Sequence, residues 1–453
     1  MRDTIHKQIP VVYTFIEHEH AEEYQKISEI LDSFGTELVD LVYGDLIRDV
    51  DNPDKGREGM SADQVLRVLL LKQMNGFSYE KLGFHLMDSM TYRTFCRFSI
   101  GGDVPSVSTL KHNLKKVKPE TLAIISEKVV LYARDTGIED GKKIRTDCTV
   151  EETNIHDPKD SHLLYDCVRV LTRLMNRATD GFVDLTFTNH TKRAKRRFRN
   201  IEHTANQNER DKLYGDLIKV TEKTVQNAAL VAEALDSVRN VDIFEVSESS
   251  NLVCELKHYG ILAQKVIDQT KRRVFHGETV PPRDKVVSIF EPHTDIIVKD
   301  RRETYYGHKI CLTTGKSSLV LDCVVEDGNP ADSTLAVEMV KRVTNIYGTV
   351  PRQAAFDGGF ASKDNLSEIK NLGVEDVAFN KKRGLEISEM ASSSWVYRTL
   401  SFFRAGIEGT ISFLKRCFGL GRCMWRGLES FKSYTWASII SHNLLILARH
   451  NLN

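Results

Sequence analysis

The sequence predicts a mixed α/β fold in which an all-α region leads into a sheet and a long helical segment follows the first strand. Three observations predict it. Short, clearly capped helical patterns fill residues 61–118. Strand patterns occur at 142–150, 286–290, 307–314, 318–326, 351–356 and 377–380. Between the first two of these strands, residues 160–275 read as helix almost without a break. Strands interleaved with helical periods are the signature of a sheet covered by helices. At 453 residues the chain is long enough for two or three domains with their own cores.

The elements follow in order. Residues 1–58 form an acidic helical lead-in that ends in the turn-rich Asp51-Asn-Pro-Asp-Lys-Gly-Arg57. Ser61 caps a helix from Ala62 to Met74, Asn75-Gly76 stops it, and Ser78 caps a second helix through Met87. Val104-Pro-Ser106 opens a third, Val107 to Val117, carrying Lys111, His112, Lys115 and Lys116. Short helices with a basic final member match a helix-turn-helix bundle, and residues 59–135 are delimited as that domain. A helical packing or dimerisation domain fits the pattern nearly as well; the basic helix favours a nucleic-acid partner.

Residues 136–453 form the second domain, with the helical insert at about 160–275. Lys142 to Val150 is its first strand, with Asp147 near the end. After the insert come the remaining strands, a helix from near Asp332 to Tyr347, a strand ending at Phe356 before Asp357-Gly-Gly, a helix over 398–417 and an apolar helix over 425–449.

Composition excludes some classes. The 41% hydrophobic and 28% charged residues are ordinary for a soluble globular chain. No apolar run approaches the roughly 18–20 residues a membrane helix needs, and the N-terminus lacks the apolar core of a signal peptide. Eight scattered cysteines without a Cys-x-x-Cys pair suggest free thiols in a reducing cytoplasm. Net charge is zero, but it is unevenly spread. Residues 17–58 are acidic, Lys192-Arg-Ala-Lys-Arg-Arg-Phe-Arg199 holds six cations, and residues 398–432 hold seven against Glu408 and Glu429. Distribution, not the sum, sets local phosphate affinity.

The chemistry concentrates on three carboxylates. Arg404, Glu408 and Lys415 stand four and eleven residues apart, which places them within roughly 60° of one helix face. Asp147 interrupts an apolar strand, where a charge is costly unless it binds something. Asp357 precedes two glycines that allow close approach. Glu408 lies among Phe402, Phe403, Ile407, Ile411 and Phe413, so it is expected to be buried with a partner. Any one of these acids alone reads as a cap, turn or salt-bridge residue. Three in this context suit two-metal phosphoryl transfer, in which carboxylates converge on Mg²⁺ ions roughly 3.5–4 Å apart.

These motifs resemble the bacterial insertion-sequence transposases of the DDE class. The resemblance is carried by Asp147-Cys-Thr-Val150 with Thr153-Asn-Ile-His-Asp-Pro-Lys-Asp-Ser-His-Leu-Leu164 after it, by Phe356-Asp357-Gly-Gly-Phe360, and by Arg404-x3-Glu408-x6-Lys415. Ser288-Ile-Phe-Glu-Pro-His-Thr-Asp295 and Gly307-His-Lys-Ile310 add to it, and it covers roughly residues 60–447. The last motif is similar to the branch with a Tyr-x2-Arg-x3-Glu-x6-Lys signature, except that Ser401 stands at the tyrosine position. The 210 residues from Asp147 to Asp357 imply an insert after the first strand, whereas the 51 from Asp357 to Glu408 leave no room for a large second one.

The resemblance implies an RNase H-like catalytic domain in which Asp147, Asp357 and Glu408 are the catalytic residues and hold Mg²⁺, with Mn²⁺ as a substitute. It implies contact of Arg404 and Lys415 with DNA beside the cut phosphate, double-stranded transposon ends and target DNA as partners, and a homodimer on paired ends, cytoplasmic and nucleoid-associated when bound. The expected activity is metal-dependent cleavage and strand transfer. Its rivals are an RNase H-like nuclease or resolvase that does not join, and a transposase-derived DNA-binding regulator. Lys111 and Lys115, with Lys192, Arg193, Lys195, Arg196 and Arg197, are candidate DNA contacts, although a charge run is as often a solvated face. Among weaker signals, His156, Asp157 and Asp160 read as caps of the following helix, with a third metal ligand as the alternative. Trp395, Trp425 and Trp436 read as core, with base stacking as the alternative.

Overall fold

The computed structural model describes residues 3–4, 18–52, 55, 59–99, 102–237, 243–299 and 303–452. Much of the expected lead-in and most of the turn before residue 59 lie outside these. Among the described residues seven helices come first: α1 (Glu19–Ser33), α2 (Glu37–Ile47), α3 (Ala62–Asn75), α4 (Tyr79–Asp88), α5 (Met90–Phe95), α6 (Val107–Leu114) and α7 (Pro119–Asp135). Their ends are written in the sequence. Ser61 and Gln64 form a reciprocal capping box, each side chain accepting from the other's backbone N–H at 3.2 and 3.1 Å. Gly76 closes α3 in the left-handed conformation (φ 60°). Ser78 and Ser106 accept from Lys81 and Thr109 backbone N–H groups to open α4 and α6.

Strand β1 (Lys143–Thr153) follows, then four helices, α8 (Asp160–Gly181), α9 (Thr191–His203), α10 (Gln207–Ser237) and α11 (Ile243–Phe275). The rest of the sheet is β2 (Asp295–Lys299), β3 (Glu303–Thr314), β4 (Val320–Val325), β5 (Gln353–Phe356), β6 (Asp376–Phe379) and the short β7 (Arg422–Cys423). Between them lie α12 (Ala336–Tyr347), α13 (Lys363–Asn371), α14 (Ile387–Met390), α15 (Ser394–Cys417) and α16 (Leu428–Leu452). The strand order is β2-β3-β1-β5-β6, with β4 also on β3 and β7 also on β1. β1 runs antiparallel to β3 and parallel to β5, and β5 runs parallel to β6. The sheet is therefore mixed, as expected.

The chain divides into two compact units, residues 1–154 with 307–453, and residues 155–306. In the first, the N-terminal helices and the sheet share one core, in which Leu66 and Leu70 of α3, Ile125 and Val129 of α7, Phe356 of β5 and Ile440 and Leu444 of α16 are all buried. The second has its own core, built on Leu164, Leu171 and Met175 of α8, Leu217 of α10 and Ala263 and Ile267 of α11.

One expected strand is absent. Residues 286–290 are not a strand; Val286 and Ile289 point into the core of the second unit. The Ser288 hydroxyl accepts from the backbone N–H groups of Phe290 and Glu291, turning the chain there. This short apolar run reflects burial in that core rather than sheet pairing. Among the described residues no helix is long and apolar enough to cross a membrane.

Candidate active site

Strand β1 presents an unusual face. Residues Arg145, Asp147, Thr149, Glu151 and Thr153 alternate onto one side of it, and all five are polar. The register pairs Asp147 with Leu312 of β3 and pairs Thr146 with Phe356 of β5. The residue after Phe356 is Asp357, so the two aspartates stand at one level on neighbouring strands. Asp357 then opens a single 3₁₀ turn, Gly358–Phe360. Glycine is required at both following positions. A Cβ on Gly358 would lie 2.7 Å from the Lys381 side chain, and one on Gly359 would lie 2.5 Å from the Asp332 carboxylate.

Helix α15, opened by the Ser393 hydroxyl accepting from the Val396 N–H, brings the third acid. Arg404 reaches all three carboxylates. Its Nη2 lies 3.2 Å from Asp147 Oδ2 and 2.8 Å from Asp357 Oδ1, and its Nη1 lies 2.7 Å from Glu408 Oε1. The cluster is graded in exposure: the Arg404 side chain is 11% exposed, Asp147 15%, Asp357 35% and Glu408 64%. The expectation that Glu408 is buried is thus corrected. Ile407 and Leu414 turn inward, while Glu408 projects outward from the same helix. Three carboxylates around one guanidinium leave two negative charges in excess. Among the described residues no three His, Cys, Asp or Glu side chains are placed to hold a metal ion together; the guanidinium is the cation at the centre of the three.

Arg145, which the sequence reading passed over, fixes α15 on the strand. Its guanidinium donates to the Phe403 carbonyl at 2.8 Å, to Thr314 Oγ1 at 2.9 Å and to Ser318 Oγ at 3.1 Å, and it lies over the Phe403 ring. Gly406 leaves room for it, since a Cβ there would sit 2.0 Å from Arg145 Nη1. An arginine two residues before Asp147, on the same face of the strand, was the available signal. Asp332 and Lys309 were also missed as a pair. They form an ion pair at 2.5 Å, with Lys309 donating to the Pro330 carbonyl as well.

Ser401 donates to the Tyr397 carbonyl one turn back, and Tyr397 is itself buried with its hydroxyl on the Phe379 carbonyl. Lys415 lies three turns beyond Arg404, and its charge acts on Glu151, the fully buried acid at the far end of the polar strand face. Burial pushes the Glu151 carboxyl up, against the opposing influence of a 2.7 Å hydrogen bond from the Thr435 hydroxyl and of Lys415.

The other candidates lie elsewhere. Lys111 and Lys115, at the end of α6, are exposed. In the second unit, Arg193 and Arg197 of α9 both grip Asp216 of α10, whereas Lys192, Lys195 and Arg196 are exposed. Asp160 caps nothing. It accepts from Arg273 at 2.8 Å and Gln269 at 3.3 Å, tying α8 to α11. Trp425 is buried and Trp436 packs against the core, but Trp395 is 72% exposed, as is Phe402 (80%) two turns along α15.

Two family models match the chain: the transposase DDE domain over residues 266–444, and the transposase domain DUF772 over residues 11–116. No curated protein and no solved structure matches it. Asp357, Arg404, Glu408 and Lys415 fall within the first match, Lys111 and Lys115 within the second, and Asp147 in neither. The two matches together take in well over half the chain. With a helical transposase domain preceding a DDE domain on one mixed α/β chain, the protein belongs to the DDE transposases of insertion sequences.

Proposed function

We propose that this transposase cleaves phosphodiester bonds at the ends of a mobile element and joins the freed 3′ ends to target DNA, in a divalent-metal-dependent reaction at Asp147, Asp357 and Glu408. The observation that carries the reading is the convergence of these three carboxylates, from two adjacent strands and a helix, on a single cationic centre. The order of the sheet supports an RNase H-like fold: β1 is central, antiparallel to β3 and parallel to β5, and the helical insert follows it.

The donor set fits Mg²⁺, with Mn²⁺ as substitute. It consists of hard carboxylate oxygens and carries an excess of negative charge. Asp147, Asp357 and Glu408 would hold the ions, with Arg404 turning away from the carboxylates it now bridges. Bound divalent ions supply Lewis acidity to the attacking and departing oxygens of the phosphodiester. The chain's own residues do the rest. Asp147 and Asp357, set at one level by the sheet register, keep their relative position through the reaction. Glu408, exposed on α15, meets the substrate side. Arg404, once released, offers a planar fork to a phosphate, and Lys415 offers a point charge.

Residues 59–135 are proposed to recognise the element's ends, with Lys111 and Lys115 on phosphates. The three-residue turn between α3 and α4 supports a helix-turn-helix-like arrangement there. Cutting both ends together calls for a dimer on paired DNA.

The test is Asp357→Asn. We expect cleavage and strand transfer to fall to background while binding to end DNA is unchanged; cleavage at the normal rate would overturn the assignment. Chelation should abolish both reactions, and added Mg²⁺ or Mn²⁺ should restore them. Incubating the protein with precut ends and a plasmid separates transposition from simple nuclease action, which yields no joined product. The intact set of three carboxylates weighs against a regulator that has lost catalysis.

A further inference from the structure

The second unit carries a feature that the DDE site leaves unused. The basic run on α9 is split by the fold. Arg193 and Arg197 are consumed by Asp216, whose carboxyl is held low: burial raises it, but hydrogen bonds from the two arginines outweigh that. Lys192, Lys195, Arg196 and Arg199 are exposed and have no acidic partner among the described residues. Their offsets of three, four and seven residues put all four on one stripe of the helix, and the next position on that stripe is His203.

His203 lines a cavity of about 550 Å³ that continues into a second of about 450 Å³. Asp160, Arg210, Tyr214 and Arg273 line both, and Lys285 lines the second. The acids on these walls are already engaged: Asp160 by Arg273, Glu202 by Lys159 and Glu278 by Arg272. Arg210 and Lys285 have no carboxylate within ion-pair reach among the described residues. Arg210 is steadied by the Tyr214 hydroxyl, yet its Nε is buried without an acceptor. The cavity therefore has two unbalanced cations and an orphaned donor.

We propose that the α9 stripe and this cavity form one continuous track for the phosphate backbone of DNA, with the stripe on successive phosphates and Arg210 and Lys285 closing on one phosphate in the cavity. The chemistry matches: cations spaced along a helix meet a periodic anion, and a donor pair lining an open concavity suits a single phosphate oxygen cluster. The inference rests on DNA being the substrate, but not on the assignment of Asp147, Asp357 and Glu408.

The full-length protein tests it through the salt dependence of duplex binding, where each lost phosphate contact lowers the log–log slope by about 0.9. Replacing Lys192, Lys195, Arg196 and Arg199 together by alanine should lower the slope by about three to four. Arg210→Ala and Lys285→Ala should each lower it by about one, and Arg210→Lys should restore most of the loss. The double variant R193A/R197A should leave the slope unchanged while lowering thermal stability, since those two side chains serve Asp216. An unchanged slope in the outer quadruple variant overturns the stripe. An unchanged slope in both cavity variants, with native thermal unfolding, overturns the cavity's part. Equal losses for the inner and outer arginines overturn the division between them. Asp357→Asn should keep the full slope, so a failure of the cleavage assignment is distinguishable from a failure of the track.

Discussion

Gly406 lacks a side chain where the Arg145 guanidinium needs the room, and that single hydrogen atom sets the approach of α15 to β1. Gly406→Ala would displace Arg145 from the Phe403 carbonyl, from Thr314 and from Ser318. Charge-assisted hydrogen bonds of this kind are worth about 1.5–3 kcal/mol each, and the Arg145 side chain that makes them is buried. We expect a loss of about 2 kcal/mol of stability in urea titrations, together with a drop in cleavage larger than that of Thr399→Ala on the outer side of the same helix. Equal activity for the two would show that Arg145 does not position the acids. At this scale much was legible. Asp147, Asp357 and Glu408 stand out because each breaks a local pattern. Arg145 and the Asp332–Lys309 pair were not, because their partners lie far along the chain. The consumption of Arg193 and Arg197 was hidden for the same reason, since nothing in a basic run marks which members an acid nineteen or more residues away will claim.

Between elements, α16 closes over the sheet and carries a buried histidine. His442 sits against Phe413 and Phe418, and burial drops its pKa to about 4, a hydrogen bond with Asn443 opposing the shift only slightly. The unfolded chain takes up that proton near the ordinary 6.5, and the folded chain does so only near 4. Between those values the unfolded state binds more protons, so acidification destabilises the fold, by about 3 kcal/mol in all. His442→Gln should therefore lose less stability than the parent between pH 7 and pH 4.5 in parallel urea titrations; an identical loss would show that His442 is not the group responsible. Element boundaries were largely readable from caps such as Ser61, Ser78 and Ser106. The false strand at 286–290 arose because a short apolar run fits a loop buried in a core as well as a sheet, and only tertiary packing decides between them.

At the scale of the whole molecule, two separate cores hold the chain. The first joins N-terminal helices to the sheet through contacts such as Gln73, whose amide donates to the Phe418 carbonyl at 2.6 Å and to the Ser438 hydroxyl at 2.7 Å. Leu171, fully buried, belongs to the second core. Leu171→Ala should cost about 2–5 kcal/mol, and calorimetry should show that cost in one transition, leaving the transition sensitive to Gln73→Ala in place. A single transition shifted by both variants would mean that the cores unfold as one. The helical insert was legible as a segment from its unbroken periodicity, but its independence was not, because a sequence pattern does not say which apolar faces meet.

The polar side of β1 also works as a ruler. An oily contact between strand and helix tolerates an axial slip of one turn, because one aliphatic side chain replaces another with little penalty. Here Arg145 meets the backbone at Phe403, Asp147 meets Arg404, and Glu151 feels Lys415 at the far end. Strand and helix carry these partners in the same direction and with opposite polarity at each level. A slip in either direction would set the Arg145 donors beside the wrong turn and strand a buried acid. The placement of Glu408, exposed at its tip, is thus inherited from the contacts that Arg404 and Lys415 make along its own stripe of the helix.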